Sequence, residues 1–222
     1  MRKLAVILAL CMVLDLGLPQ RQKKLVALTF DDGPTGKYTS QLLELLEEKK
    51  VKATFFLCGY RIEQYPELTA QLAQQGHELG LHGWQHAYFS ELSEEALAQE
   101  LTQESFHLAE ITGQTARLVR PPGGLLPKKG SAALQDYAVI LWSVDPNDWA
   151  TDARSTIVQR VVSKVQPGDI ILMHDASTSS VEAAGEIIDC LRGQGYVFVT
   201  VSELAEAYGT APERGECYRR FP

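Results

Sequence analysis

The sequence predicts an α/β fold in which about seven parallel strands close as a compact, incomplete barrel. Three observations predict it. Short apolar runs alternate with amphipathic segments along the whole body of the chain. Titratable residues recur just past the ends of those runs, where parallel barrels gather their active sites. No glycine-rich dinucleotide fingerprint follows the first run, because "DDGPTG" lacks the required spacing, so an open doubly wound sheet is the weaker choice.

"MRKLAVILALCMVLDLGLPQ" opens with two cations and an apolar stretch from Leu4 to Leu14, the layout of a secretory signal. That stretch is too short to span a bilayer comfortably, yet Asp15 and the lack of a small-x-small cleavage site keep a signal-anchor open. Residues 1–20 are therefore expected to be a leader, and the protein to be secreted or held at the cell surface, touching a membrane only if the leader is uncleaved. Strands are expected at Leu25–Phe30, Ala53–Leu57, Glu78–Leu81, Leu118–Arg120, Ala138–Trp142, Asp169–Met173 and Val197–Val201. Between them run helical patterns at Tyr38–Lys49, Pro66–Gly76 and Ser93–Gly113, then near Lys128–Gln135, Ser155–Lys164, Val181–Arg192 and Glu203–Tyr208. Ser93 is the N-cap of the long third helix, and Gly113 closes it. No repeat or linker divides the body, so residues 25–208 form one domain and 209–222 a tail.

The formal charge of −7 and the absence of a basic run in the body argue against a nucleic-acid binder. With the leader removed, Cys58, Cys190 and Cys217 are left, an odd number. Cys58 in "TFFLCG" reads as a small buried hydrophobe. A Cys190–Cys217 disulfide tying the tail to the body is a hypothesis that thiol alkylation would test.

Five segments carry the chemistry. "TFDDGP", Thr29 to Pro34, ends the first strand with adjacent carboxylates Asp31 and Asp32, which repel unless a cation, catalysis or solvent compensates them; its bland alternative is an ordinary turn. "HGWQH" sets His82 and His86 four apart, a spacing suited to one metal ion, or a loop with two exposed histidines. "RPPGG" starts with Arg120, a cation able to steer a carboxylate, and includes Gly123, whose backbone amide is bare. "WSVDPNDW" contributes Asp145, Asp148 and Trp149, and "GDIILMHD" delivers Leu172, His174 and Asp175 at a strand exit. Separately each has a structural explanation. Together they fall at the carboxyl ends of separate strands, so they are expected to converge, with one carboxylate joining two histidines around a metal and the other free to handle a proton.

In order and approximate spacing, these five segments resemble the motifs of the polysaccharide deacetylases, carbohydrate esterase family 4, over roughly Leu25 to Ala207. The resemblance implies a distorted (β/α) barrel holding a divalent metal, zinc first with cobalt, nickel or manganese as alternatives, through Asp32, His82 and His86. It implies Asp31 as general base toward the attacking water, His174 as general acid, Arg120 as the residue that holds Asp31, and Asp148 as the partner that keeps His174 protonated. Gly123 would supply an oxyanion donor, and Leu172 and Trp149 would line the acetyl pocket. Two departures stand out: Gly83 occupies a place usually taken by Ser or Thr, and Gly123 one often taken by an aromatic residue. Asp32 stands where relatives acting on muramic residues carry Asn. The implied reaction is hydrolysis of N-acetyl groups on N-acetylglucosamine units of peptidoglycan by a monomeric enzyme. Chitin oligomers, exopolysaccharide, small cyclic amides, a non-catalytic glycan-binding barrel and an anchored interaction domain are the alternatives.

Overall fold

The computed structural model describes residues 23–221, so the expected leader over residues 1–20 lies outside the described residues. Among the described residues, no helix is long and apolar enough to cross a membrane.

The first strand, β1 (Lys24–Gly33), is buried along most of its length and pairs in parallel with three neighbours. Its continuous run of apolar and small residues suits a strand covered on both faces. β2 (Thr54–Leu57), β3 (Glu78–Leu81), β4 (Leu118–Val119) and β5 (Ala138–Ile140) extend the sheet on one side. On the other side β6 (Ile170–His174) flanks the carboxyl half of β1, while β7 (Tyr196–Val199) pairs with its amino half. All seven expected strands are present, and all their pairings are parallel. They form a curled half-barrel flanked by helices.

An eighth strand, β8 (Cys217–Tyr218), was not expected. It adds in parallel to β5, and buried Phe221 beyond it donates its amide to Gly168. Two residues with no alternation carry no strand signal of their own; the pairing depends on the neighbouring β5 edge.

The period-two alternation of the strands sorts side chains into two cores. Val26, Leu28 and Phe30 of β1 face outward onto helices, where Leu42, Leu43 and Leu46 of α1 (Lys37–Glu48) cover them. Each such fully buried side chain contributes about 1.5–3 kcal/mol. The interior set is smaller: Ala27, Phe56, Leu118, Ile140 and Ile170, with Val201 and Leu204 of α7 (Val201–Ala207) and Phe221 packed against them. Phe221 meets Gly168, which in turn bonds to Leu25, so this packing closes the amino-terminal end of the strands and leaves the carboxyl end to the site.

Two short helices follow β2: α2 (Gly59–Gln64) and α3 (Pro66–Gln74). α2 was not read from sequence, because it spans under two turns between a glycine and a proline. The long α4 (Glu94–Thr112) begins and ends as its residues dictate: Ser93 accepts the amide of Ala96, and Gly113 adopts a left-handed φ of 70°. The helix expected near Lys128–Gln135 is instead a single 3₁₀ turn, Ala132–Leu134. Gly130 interrupts the segment, and Glu94 of α4 takes up the hydroxyl of Ser131 and the amide of Ala133 instead of a helical carbonyl. α5 (Arg154–Val162) and α6 (Thr178–Gly193) complete the outer layer.

The proposed disulfide is not formed: Cys58, Cys190 and Cys217 are all free thiols. Cys190 sits exposed on α6, whereas Cys217 is held at the sheet edge by β5, so main-chain pairing rather than a covalent tie secures the tail. Cys58 is buried as expected, and burial pushes its thiol well above the usual range.

Candidate metal and active site

The adjacent carboxylates are explained by the end of β1. Thr29 and Asp31 point inward by alternation, and a regular strand would send Asp32 to the outer face. A register shift against β2 falls between Asp31 and Gly33, and Asp32 takes a φ of 72°. This bulge returns the Asp32 carboxylate to the barrel mouth; Asp accepts the left-handed conformation at lower cost than most residues.

Arg120, fully buried just after β4, organises the interior side of the site. Its Nη1 donates to Asp31 Oδ1 at 2.6 Å and Thr29 Oγ1 at 2.8 Å. Nε and Nη2 donate to the carbonyls of Ile140 at 2.9 Å and Leu141 at 3.1 Å, and the guanidinium carbon lies 4.1 Å from the Phe56 ring centre. Desolvating a guanidinium costs several kcal/mol, which this set of acceptors and one counter-charge offset. The result is a carboxylate, Asp31, with one oxygen clamped and the other facing the cavity.

The Arg120 carbonyl orders the next residue. It lies 2.7 Å from His82 Nδ1, and a carbonyl oxygen can only accept, so Nδ1 carries the proton and Nε2 presents a lone pair. That lone pair faces Asp32 Oδ1 at 3.3 Å and Asp31 Oδ2 at 3.7 Å. His86, at a φ of 58°, brings its Nε2 to 3.1 Å from the same Asp32 oxygen.

A cation fits this arrangement. Asp32 Oδ1 is buried and lacks a hydrogen-bond donor, since neither imidazole approaches it in donating geometry. One ligand atom each from Asp32, His82 and His86 lies within 4.8 Å of the others. Acceptors that face one another with no proton between them are stabilised by a shared positive ion, and an imidazole–imidazole–carboxylate set suits a divalent metal.

The opposite wall is built by β6 and the turn at Asp148–Ala150. His174 Nδ1 meets Asp148 Oδ1 at 2.8 Å, while Asp148 Oδ2 accepts the His174 amide at 2.9 Å and the Ser180 hydroxyl at 2.7 Å. Burial works to lower the His174 pKa, but Asp148, aided by Asp31 and Asp32, outweighs it and raises the imidazole to about 9. In parallel register with β1, His174 sits directly beside Asp31.

The five segments therefore converge as expected. Asp31, Asp32, His82, His86, Gly123, Trp149, Leu172 and His174 all line one cavity of about 410 Å³, within the usual range for small-ligand sites. Arg120 and Asp148 stand behind its wall, each holding a residue that reaches it. Leu172 is buried, whereas Trp149 is 69% exposed and forms rim rather than floor. Tyr88, Trp142 and Asn147 also line the cavity and were missed. Tyr88 lies two residues past His86, and Trp142 ends the expected fifth strand and opens "WSVDPNDW", so aromatic residues at the edges of the quoted segments are the available signal.

A parallel half-barrel whose mouth holds an Asp-His-His cation site between an Arg-clamped carboxylate and an Asp-supported imidazole is the layout of a metal-assisted hydrolase. The chain belongs to the polysaccharide deacetylase family, whose sequence pattern matches residues 19–140. It is 41% identical over 185 residues to the peptidoglycan-N-acetylmuramic acid deacetylase PdaC of Bacillus subtilis, across 83% of this chain and 39% of that longer protein. It is 40% identical over 189 residues to a peptidoglycan-N-acetylglucosamine deacetylase of Bacillus cereus, across 82% of this chain and 88% of the relative. Among solved structures, a family 4 acetyl xylan esterase from Clostridium thermocellum in complex with cobalt aligns with a TM-score of 0.81 at 30% identity, covering 90% of this chain and 100% of that one.

Proposed function

We propose that this protein is a metal-dependent N-deacetylase that hydrolyses acetyl groups from N-acetylglucosamine residues of peptidoglycan, releasing acetate and a free amino sugar. The observation that carries the reading is the convergence, in one cavity, of the Asp32–His82–His86 cation site with Asp31 on one side and His174 on the other. Relatives named as peptidoglycan deacetylases support the polymer. Zinc is the ion we propose; the cobalt-bound relative favours a site tolerant of related divalent ions. We further propose export, with residues 1–20 as the leader.

Asp32, His82 and His86 would hold the ion. When bound it polarises the acetyl carbonyl and makes water more acidic. The protein's own groups do the rest. Arg120 fixes Asp31 Oδ1, so Oδ2 is the oxygen left to take a proton from the attacking water. As the oxygen–carbon bond forms, the Gly123 amide stabilises charge developing on the carbonyl oxygen. His174 is anchored through Nδ1 by Asp148, which leaves its Nε2 proton for the leaving nitrogen as the carbon–nitrogen bond breaks. Leu172 and Trp149 give the acetyl methyl an apolar flank.

The test is acetate release by chelated protein, with and without added zinc or cobalt, from purified peptidoglycan and from N-acetylglucosamine oligomers. Metal-dependent release from peptidoglycan is expected. Release from chitin oligomers alone would move the substrate, and no release from any polymer despite one bound metal per chain would leave a glycan-binding barrel. A second reading, N-acetylmuramic acid as the sugar, is favoured by the identity to PdaC. Mass analysis of the digested product separates the two sugars.

A further inference from the structure

α4 carries two carboxylates one turn apart, Glu100 and Glu104, and neither forms an ion pair among the described residues. Glu104 is fully buried, a costly place for a carboxylate without a cation. Both turn instead to the backbone of the loop after β3. Glu104 Oε1 accepts the His82 amide and Oε2 the Gly83 amide, each at 2.9 Å. Glu100 Oε2 accepts the Trp84 amide at 2.8 Å and the Gln85 amide at 3.3 Å. Four consecutive N–H groups, beginning at one histidine and ending just before the other, are thus held by one helix.

Residue 83 cannot supply this support itself. Gly83 has a φ of 85°, and a Cβ there would lie 3.0 Å from the Phe89 ring and 3.3 Å from Glu100 Oε2. The space a polar side chain would need is already taken by Phe89, from the turn before α4, and by Glu100 of α4.

We infer that Glu100 and Glu104 are positioning residues that set the His82–His86 loop in the geometry that grips the ion. The inference rests on the metal-site reading above. Their bonding patterns differ, and the difference is testable. Glu104 uses both oxygens, so a glutamine there must set its NH₂ against a backbone N–H. Glu100 uses one oxygen for both bonds, so a glutamine there can keep that oxygen in place and lose nothing.

The experiment titrates chelated full-length protein with cobalt, following visible d–d absorption for affinity and ligand geometry, beside the melting temperature of the metal-free protein. Glu104→Gln and Glu100→Ala are each expected to weaken cobalt about tenfold or more and to alter the absorption bands, the usual cost of losing support behind metal ligands. Glu100→Gln is expected to restore parent affinity and spectrum. Rescue by glutamine at both positions, or parent-like affinity and bands in folded Glu104→Gln and Glu100→Ala, would overturn the inference. Should Glu104→Gln fail to fold, the partly exposed Glu100 pair decides: equal affinity in Glu100→Ala and the parent overturns it, and loss with rescue by Gln supports it. A parent protein that binds no cobalt would refute the metal site itself, and the positioning role with it.

Discussion

Replacing Asp148 with Asn tests the link between a buried ion pair and the proton that His174 must deliver. The imidazole is raised from the ordinary 6.5 to about 9, against the opposing effect of burial, with Asp148 as its largest favourable partner. A 2.5-unit rise corresponds to about 3 kcal/mol of preference for the charged form. The sign follows from the direction: a histidine raised in the folded state adds stability that is complete below pH 6.5 and lost as pH climbs through about 9. Asp31 and Asp32 share in the rise, so Asp148→Asn is expected to remove most of it, shifting the imidazole down by about one to two units. Two measurements check this. The alkaline limb of kcat/KM should move down by the same one to two units, since less His174 is protonated at a given pH. The melting-temperature gap between variant and parent should be wide at pH 6 and narrow toward pH 10. An unmoved alkaline limb together with a pH-independent stability gap would refute the reasoning and leave Asp148 as a plain scaffold residue held by Ser180 and the His174 amide.

Asp31→Asn should retain metal while losing about 10²-fold or more in kcat, whereas His82→Ala should lose metal and activity together; equal metal loss by elemental analysis would contradict the division of labour in the carboxylate pair. His77 is a second, independent source of pH dependence: it is buried with Nδ1 accepting the Ala53 amide at 3.2 Å, and burial, with the Lys52 charge, lowers it to about 4. A histidine lowered in this way holds its stability above pH 6.5 and loses it as pH falls toward 4, by about 3 kcal/mol. His77→Gln should flatten that acid limb in urea unfolding, and a parent-like slope would exclude His77 as its cause.

The strand order and the site were legible because each rests on local chemistry. Apart from β7, where Val197 faces solvent, the apolar runs are largely buried on both faces, so their sequences are continuous, and the residues that follow them must surface at one end of a parallel sheet. What was illegible depends on partners remote in sequence. β8 exists because β5 offers an open edge, and its two residues pair there without any pattern of their own. The expected helix near Lys128 yields to Glu94, about forty positions away, which takes the amide and hydroxyl that a helix or turn would otherwise satisfy. The metal loop shows the same rule at the site. From "HGWQH" alone, Gly83 reads as a weakness, a place where a supporting hydroxyl is missing. In the fold, Glu104 reaches in from α4 and occupies both amides, and glycine then suits residue 83, because its φ of 85° strains any other residue and a Cβ there would press tightly on Phe89 and Glu100. The same residue changes meaning with the element packed against it, and that element lies outside every motif a sequence reading would single out.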